Sequence, residues 1–231
     1  MKSVLKALAI AALSTAPAIA QEWSGPYVGA TASVATLRTA WTDVEYDWFG
    51  GTVDQRRSKL NGGLQWGYNN QKGNSVIGWE LDYRPGHVYI NTDMGNLPPV
   101  LEKTDALRHL VTLRGRAGLA VDNALAYLTA GLARGDIRHS LIANGNPSNG
   151  SSTPTFYNKN LGLAYGVGLE HRVSDRYSLR VEYLGAVWPT QTVSTNGGSR
   201  YDQKDRVSFL SLGLNLHYLS LIHISEPTRP Y

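Results

Sequence analysis

From Leu210 to Tyr218 the chain alternates. Leu210, Leu212, Leu214, Leu216 and Tyr218 are large and apolar, and Ser211, Gly213, Asn215 and His217 between them are small or polar. A period of two sends successive side chains to opposite sides of a strand, so this segment predicts a strand with one apolar and one polar face. The same pattern predicts strands over Tyr27–Thr36, Leu60–Asn69, Ser75–Tyr83, Leu107–Ala120, Leu125–Arg134, Lys159–Val173 and Tyr177–Val187, with the closing strand after Lys204. In the third of these, Ile77, Trp79, Leu81 and Tyr83 oppose Gly78, Glu80 and Asp82.

The connections alternate in length. Residues 37–59, 84–105, 135–158 and 188–204 form long, polar stretches, whereas 70–74, 121–124 and 174–176 are short and rich in turn residues. Short turns at one end and long loops at the other characterise bacterial outer-membrane barrels, and an even strand number keeps both termini at the short-turn end. Each predicted strand is near the 9–11 residues that a tilted membrane-crossing strand needs. Tyr27, Tyr68, Tyr83, Tyr177, Tyr183 and Tyr218 fall near strand ends, where interfacial aromatic girdles form. The predicted fold is therefore all-β: an eight-stranded antiparallel up-and-down transmembrane β-barrel with long extracellular loops and short periplasmic turns. No linker divides it, so residues 21–218 form one domain.

The rival is a soluble barrel with its apolar face inside. Against it stands the other face, which carries Glu80, Asp82, Arg114, Arg116, Glu170, Arg172, Arg180 and Glu182. These charges are evenly divided in sign. An eight-stranded barrel is just wide enough for its side chains to fill, so the pattern predicts a compact ion-pair network in the lumen. Two readings of that network follow: a polar core that fixes strand register and plugs the barrel, or a narrow small-solute pore whose selectivity these residues set.

Composition narrows the function. Among 231 residues Lys+Arg number 22 and Asp+Glu 18, and no basic stripe forms, so nucleic acid is not a predicted partner. The absence of cysteine excludes disulfides, zinc–thiolate sites and a cysteine nucleophile. A mean hydropathy of −0.26 is compatible with a membrane barrel because alternating strands average out. Lys2 and Lys6, the apolar run Val4–Leu13 and the Ala18-Ile19-Ala20 site predict a signal peptide over residues 1–20. His139 and Ser140 are adjacent, so on a strand they point to opposite sides and cannot form a catalytic pair. His87, His109, His171 and His217 are scattered and are expected at the rim or interface. No spacing matches a metal site. The expectation is a non-enzymatic chain with no cofactor.

Several segments together resemble a known family. Trp23-Ser24-Gly25-Pro26-Tyr27-Val28-Gly29, Gly62-Gly63-Leu64-Gln65-Trp66-Gly67-Tyr68-Asn69 and Gly78-Trp79-Glu80-Leu81-Asp82 come first. Arg114-Gly115-Arg116-Ala117-Gly118 and Tyr127-Leu128-Thr129-Ala130-Gly131-Leu132-Ala133 follow. Gly166-Val167-Gly168-Leu169-Glu170, Leu179-Arg180-Val181-Glu182-Tyr183-Leu184 and Gly213-Leu214-Asn215 with Tyr218 complete the series. In this order the set is similar to the small OmpA-like outer-membrane β-barrel proteins, often termed the porin family, of Gram-negative bacteria. The resemblance implies an outer-membrane location, a structural, surface-antigen or host-contact role, and no defined reaction. The implied partners are outer-membrane lipid and lipopolysaccharide, and the barrel insertion machinery, which reads a terminal aromatic, here Tyr218. The aromatics Trp41, Tyr46, Trp48 and Phe49 in the first long loop support a third reading, an adhesin or host-factor-binding surface protein. Residues 219–231 follow Tyr218, and Leu219–Arg229 can be back-translated into a transposase-type library adapter; this tail is expected to be an artefact.

Overall fold

A computed structural model describes residues 22–44, 51–93, 100–144, 155–158, 160–194 and 200–218. Eight long strands form the wall: β1 (Gly25–Asp43), β2 (Thr52–Lys72), β3 (Ser75–Asp93), β4 (Val100–Val121), β5 (Ala124–Asn144), β7 (Leu161–Arg172), β8 (Tyr177–Val187) and β10 (Arg200–His217). Two short strands, β6 (Thr155–Asn158) and β9 (Gln191–Ser194), flank β5 and β10. Every pairing is antiparallel between successive long strands. The β1–β10 ladder, from Tyr27 opposite His217 to Asp43 opposite Tyr201, closes the barrel.

The three predicted short turns lie at one end. Gly73-Asn74 joins β2 to β3 and Asp122-Asn123 joins β4 to β5. Gly73 has φ 60° and Asp122 φ 51°, the left-handed region that tight hairpins require and that Gly and Asp tolerate. Residues 173–176 form the third turn.

The wall around the turn end is apolar on its outer side. Leu60, Leu64, Ile77, Leu119, Leu128, Leu163 and Leu212 are among the outward residues, and each is at least 60% exposed. In water so continuous a patch would drive association; lipid is the medium it suits. The inward side carries the charges, which excludes the soluble barrel with an apolar interior.

The long connections differ from expectation. Much of them is strand. β1 runs on to Asp43, β2 starts at Thr52, β3 reaches Asp93, β4 starts at Val100 and β5 reaches Asn144. The reason is an inversion of polarity. Above the apolar belt Leu37 and Trp41 point inward and Arg38 outward; on β10, Val207 and Phe209 are buried while Lys204 and Arg206 are exposed. Period two persists, but the outer medium is now water, so the apolar side turns in.

Above the belt the wall also divides. The β2–β3 ladder stops at Leu64 opposite Tyr83, β5–β7 at Arg134 opposite Leu161, and β8–β10 at Val187 opposite Arg206. The β1–β2, β1–β10, β3–β4 and β4–β5 ladders continue upward. Two sheets result, β2-β1-β10-β9 and β3-β4-β5-β6. Ala35, Leu37, Val207 and Phe209 of the first join Val88, Leu107, Leu110 and Ile137 of the second in one buried cluster, with Leu184, Ala186 and Trp188. A bulge between Pro85 and Val88 bends β3 at the division. Gly86 sits in it, where a Cβ would lie 2.3 Å from the Leu107 carbonyl oxygen.

The belt makes a direct prediction. Leu212→Arg puts a charge against lipid and costs about 2–4 kcal/mol near the midplane, whereas Lys204→Ala, above the belt, changes stability by less than about 0.5 kcal/mol. Urea unfolding in lipid vesicles measures both; equal effects would contradict the placement of the belt.

Candidate functional site

Inward positions on the belt strands mix charged and polar side chains with aromatic rings and glycines. Tyr27 crosses to Gly67, where a Cβ would meet its ring at 2.5 Å, and Tyr127 crosses to Gly168, where the distance would be 2.3 Å. These glycines make room for a filled lumen.

Into that space project Glu80 and Asp82 from β3, Arg114 and Arg116 from β4, Glu170 from β7, and Arg180 and Glu182 from β8, each at most 2% exposed. Four of them close a ring. Arg114 bonds Glu80 and, through Nη1, Glu182 Oε1 at 2.7 Å; Arg180 Nη1 bonds Glu80 Oε2 at 2.5 Å and its other nitrogen bonds Glu182. Tyr27 donates its hydroxyl to Glu80 Oε2 at 2.7 Å, and Arg114 Nη1 also donates to Thr129 Oγ1 at 2.9 Å.

A second group lies nearer the turns. Arg116 pairs with Glu170, donates to the Tyr27 hydroxyl at 3.1 Å, and lies 3.7 Å over the Tyr127 ring. Glu170 Oε1 accepts from Asn215 Nδ2 at 2.7 Å and from the Ser178 hydroxyl at 2.5 Å, with His217 Nε2 at 3.3 Å.

Asp82 takes a partner that alternation alone left in a loop. Arg84 grips both its oxygens, Nε at 2.8 Å and Nη2 at 3.2 Å, and donates to Ser33 and Ser211. Its guanidinium lies 4.5 Å over the Phe209 ring, where the charged layer meets the apolar core above. Arg84 shares the parity of Glu80 and Asp82, which was the signal available; Pro85 after it obscured the continuation of the strand.

Arg172 departs from expectation. Among the described residues it pairs with no carboxylate but donates to the carbonyls of Asp175 at 2.8 Å and Glu22 at 2.9 Å, and it lies 4.8 Å over the Trp23 ring. Its place at the end of β7 makes it a rim clamp joining the last short turn to the N-terminal segment. His217 is also corrected: it is buried beneath the lumen and hydrogen-bonds Ser178 at 2.8 Å.

Above the apolar core, a polar clasp joins the two sheets. Thr39 Oγ1 of the first donates to Asp105 Oδ2 of the second at 2.8 Å. His139 Nδ1 meets Asp105 Oδ1 at 2.7 Å, and its Nε2 lies 3.4 Å from Asp205 Oδ2 of the first sheet. Gln203 bonds both His139 and Asp205. Burial pushes the His139 pKa down, but hydrogen bonds to Asp105 and Asp205 outweigh it and hold the imidazole above its ordinary value. Trp41, expected in a loop, stands on β1, 6% exposed, with its ring 6.1 Å from His139 and 6.2 Å from Tyr201. Tyr46, Trp48 and Phe49 lie outside the described residues, as do residues 1–20 and 219–231. Tyr218 is half-exposed at the turn end, and its N–H donates to the Pro26 carbonyl at 3.0 Å.

The family described as outer membrane protein beta-barrel domain matches residues 5–218. A 31 kDa outer-membrane immunogenic protein of Brucella melitensis biotype 1 is 24% identical over 213 residues, covering 89% of this chain and 88% of that protein. Its namesake in Brucella suis biovar 1 matches to the same extent. Among solved structures, neisserial surface protein A aligns with 84% of this chain and 98% of its own, at 14% identity and a TM-score of 0.41. Ail of Yersinia pestis, solved with the heparin analogue sucrose octasulfate, aligns with 83% and 99% at 11% identity and a TM-score of 0.42.

Removing Glu80 leaves Arg114 and Arg180 to share Glu182. Glu80→Ala is expected to cost about 3–5 kcal/mol in urea unfolding; a loss below about 1 kcal/mol would show the ring to be dispensable. The clasp carries a pH dependence of defined sign. Folded His139 binds its proton more tightly than the unfolded chain does, so its stabilisation is complete below about pH 6.5. It is lost as pH rises through the higher folded value. Hydrogen-exchange protection of the upper halves of β1 and β10, corrected for the intrinsic exchange rate, should fall as pH rises above about 6.5, and His139→Gln should abolish the difference.

Proposed function

Since the chain belongs to the outer membrane protein beta-barrel domain family, which resides in the outer membrane of Gram-negative bacteria, we propose that it is a sealed, structural barrel displaying its long-loop end at the cell surface. The observation that carries this reading is the filled interior. The ring of Glu80, Arg114, Glu182 and Arg180 spans the lumen, and the apolar cluster around Leu37, Leu107, Ile137 and Phe209 stands above it. A solute would have to part buried ion pairs and then cross a dry layer, each step costing several kcal/mol. Arginine suits the sealing role because its planar fork holds two carboxylates at once and never loses its charge.

In this reading the partners are the lipid around the belt and the insertion machinery that reads Tyr218. The chain is assigned no reaction. Surface display is supported by the name of the Brucella relatives, outer-membrane immunogenic proteins. Binding of a host factor through the loops has less support, because buried Trp41 is unavailable as a contact.

Planar-bilayer recording of the purified, folded protein tests the seal. Wild type should leave the membrane at baseline, and so should Glu80→Ala with Arg114→Ala, because the apolar layer above the thinned ring stays intact. Steady single-channel steps from wild type would overturn the sealed reading and favour the narrow pore.

A further inference from the structure

The outer surface of β2, β1 and β10 changes character in steps just above the belt. The ladders set Leu60, Val34 and Leu210 side by side as the last apolar row. The next outward row is Ser58, Thr36 and Ser208; the row after that is Arg56, Arg38 and Arg206. Three arginines thus occupy directly opposed positions on three neighbouring strands, about 13 Å along the strand from the apolar row. Lys204 follows one row higher, opposite Ala40.

Like charges directly across a ladder repel. Among the described residues one carboxylate answers these four cations: Asp54 accepts from Arg38 Nε at 2.9 and 3.0 Å. Among the described residues Arg56 and Arg206 make no ion pair. The arginines border a cavity of about 230 Å³, lined also by Thr36, Ser208, Tyr165 and Tyr183. Its two tyrosines are outward and about half-exposed. Tyr165 folds across Gly185, where a Cβ would lie 2.5 Å from its ring, which hollows the wall below the arginines. Apolar belt, aromatic shelf, hydroxyl row and cationic row follow one another in the order in which acyl chain, ester region and headgroup follow one another in a lipid leaflet.

We propose that this hollow is a binding site for a phosphorylated glycolipid of the outer leaflet, with Arg56, Arg38 and Arg206 gripping its phosphate groups. The short turns lie on the periplasmic side, so the arginine row stands at the outer headgroup level. Guanidinium forks suit phosphate oxygens bidentately. The site rests on the outer-membrane placement of the chain and not on a closed lumen, so conductance and lipid binding fail independently.

The test uses the full chain folded in detergent and titrated with bisphosphorylated lipid A, with bound lipid counted by native mass spectrometry. Wild type should retain lipid A, and Arg56→Gln with Arg206→Gln should weaken retention by about tenfold or more, as expected for lost charge-assisted hydrogen bonds. The shifted band of unboiled protein on gels confirms that the variant is folded. Asp54→Asn, which keeps every cation and frees Arg38, should bind more tightly than wild type, and it tests the site even if the double variant does not fold. Dephosphorylated lipid A should bind no better to wild type than to the double variant. Equal retention of lipid A by wild type and the folded double variant, or of dephosphorylated and bisphosphorylated lipid A by wild type, would overturn the proposal. Displacement of lipid A by a sulfated polysaccharide at matched charge concentration would overturn it in favour of a soluble polyanion.

Discussion

An inward charge in this barrel has lipid one side chain away, and it must find its counter-charge across the lumen. The ring of Glu80, Arg114, Glu182 and Arg180 meets that demand with residues from β3, β4 and β8, strands on different sides of the barrel. Buried ion pairs are seldom large sources of net stability, because desolvation offsets most of the attraction. Their effect here is on register. A one-residue slip of any of these strands would turn its charges to the lipid and its leucines to the lumen, at about 2–4 kcal/mol for each arginine near the midplane and less for each carboxylate. The ring therefore penalises every wrong alignment more than it rewards the right one.

The interior is layered along the axis, and each layer answers the medium outside it. Trp23, Val76, Ala120, Leu125 and Tyr127 form an apolar group at the turn end. The charged layer follows where the wall faces lipid, and the apolar core of the upper sheets follows where the wall faces water. Arg84 joins the two, its fork on Asp82 and its flat face on Phe209. The clasp of Asp105, His139 and Asp205 then holds the sheets together above the apolar core.

The membrane-level barrel was legible because lipid outside and charge inside make alternation conspicuous. Glu80-Leu81-Asp82 and Arg114-Gly115-Arg116 assign their own sides. The extension was illegible for the converse reason. In Leu37-Arg38-Thr39-Ala40-Trp41 the period is intact, but a charge now marks the outer side, and such a segment resembles a polar loop. Asp105, His139, Gln203 and Asp205 come together from separate strands across the gap between sheets, and no local spacing marks such a meeting. Arg172 has the parity of the lumen residues; its position at the end of β7, which periodicity does not weigh, makes it part of the rim.

The division of the wall above Leu64 and Tyr83 sorts the surface segments into two pairs. Those joining β1 to β2 and β8 to β10 spring from one sheet, and those joining β3 to β4 and β5 to β7 from the other. Each sheet has its own backbone ladders, and the sheets meet through side chains. Among the described residues the two sheets meet through the Asp105–His139–Asp205 clasp and the apolar layer beneath it. The extension is thus two sheets standing on one closed barrel, so that a change confined to one sheet leaves the backbone ladders of the other intact.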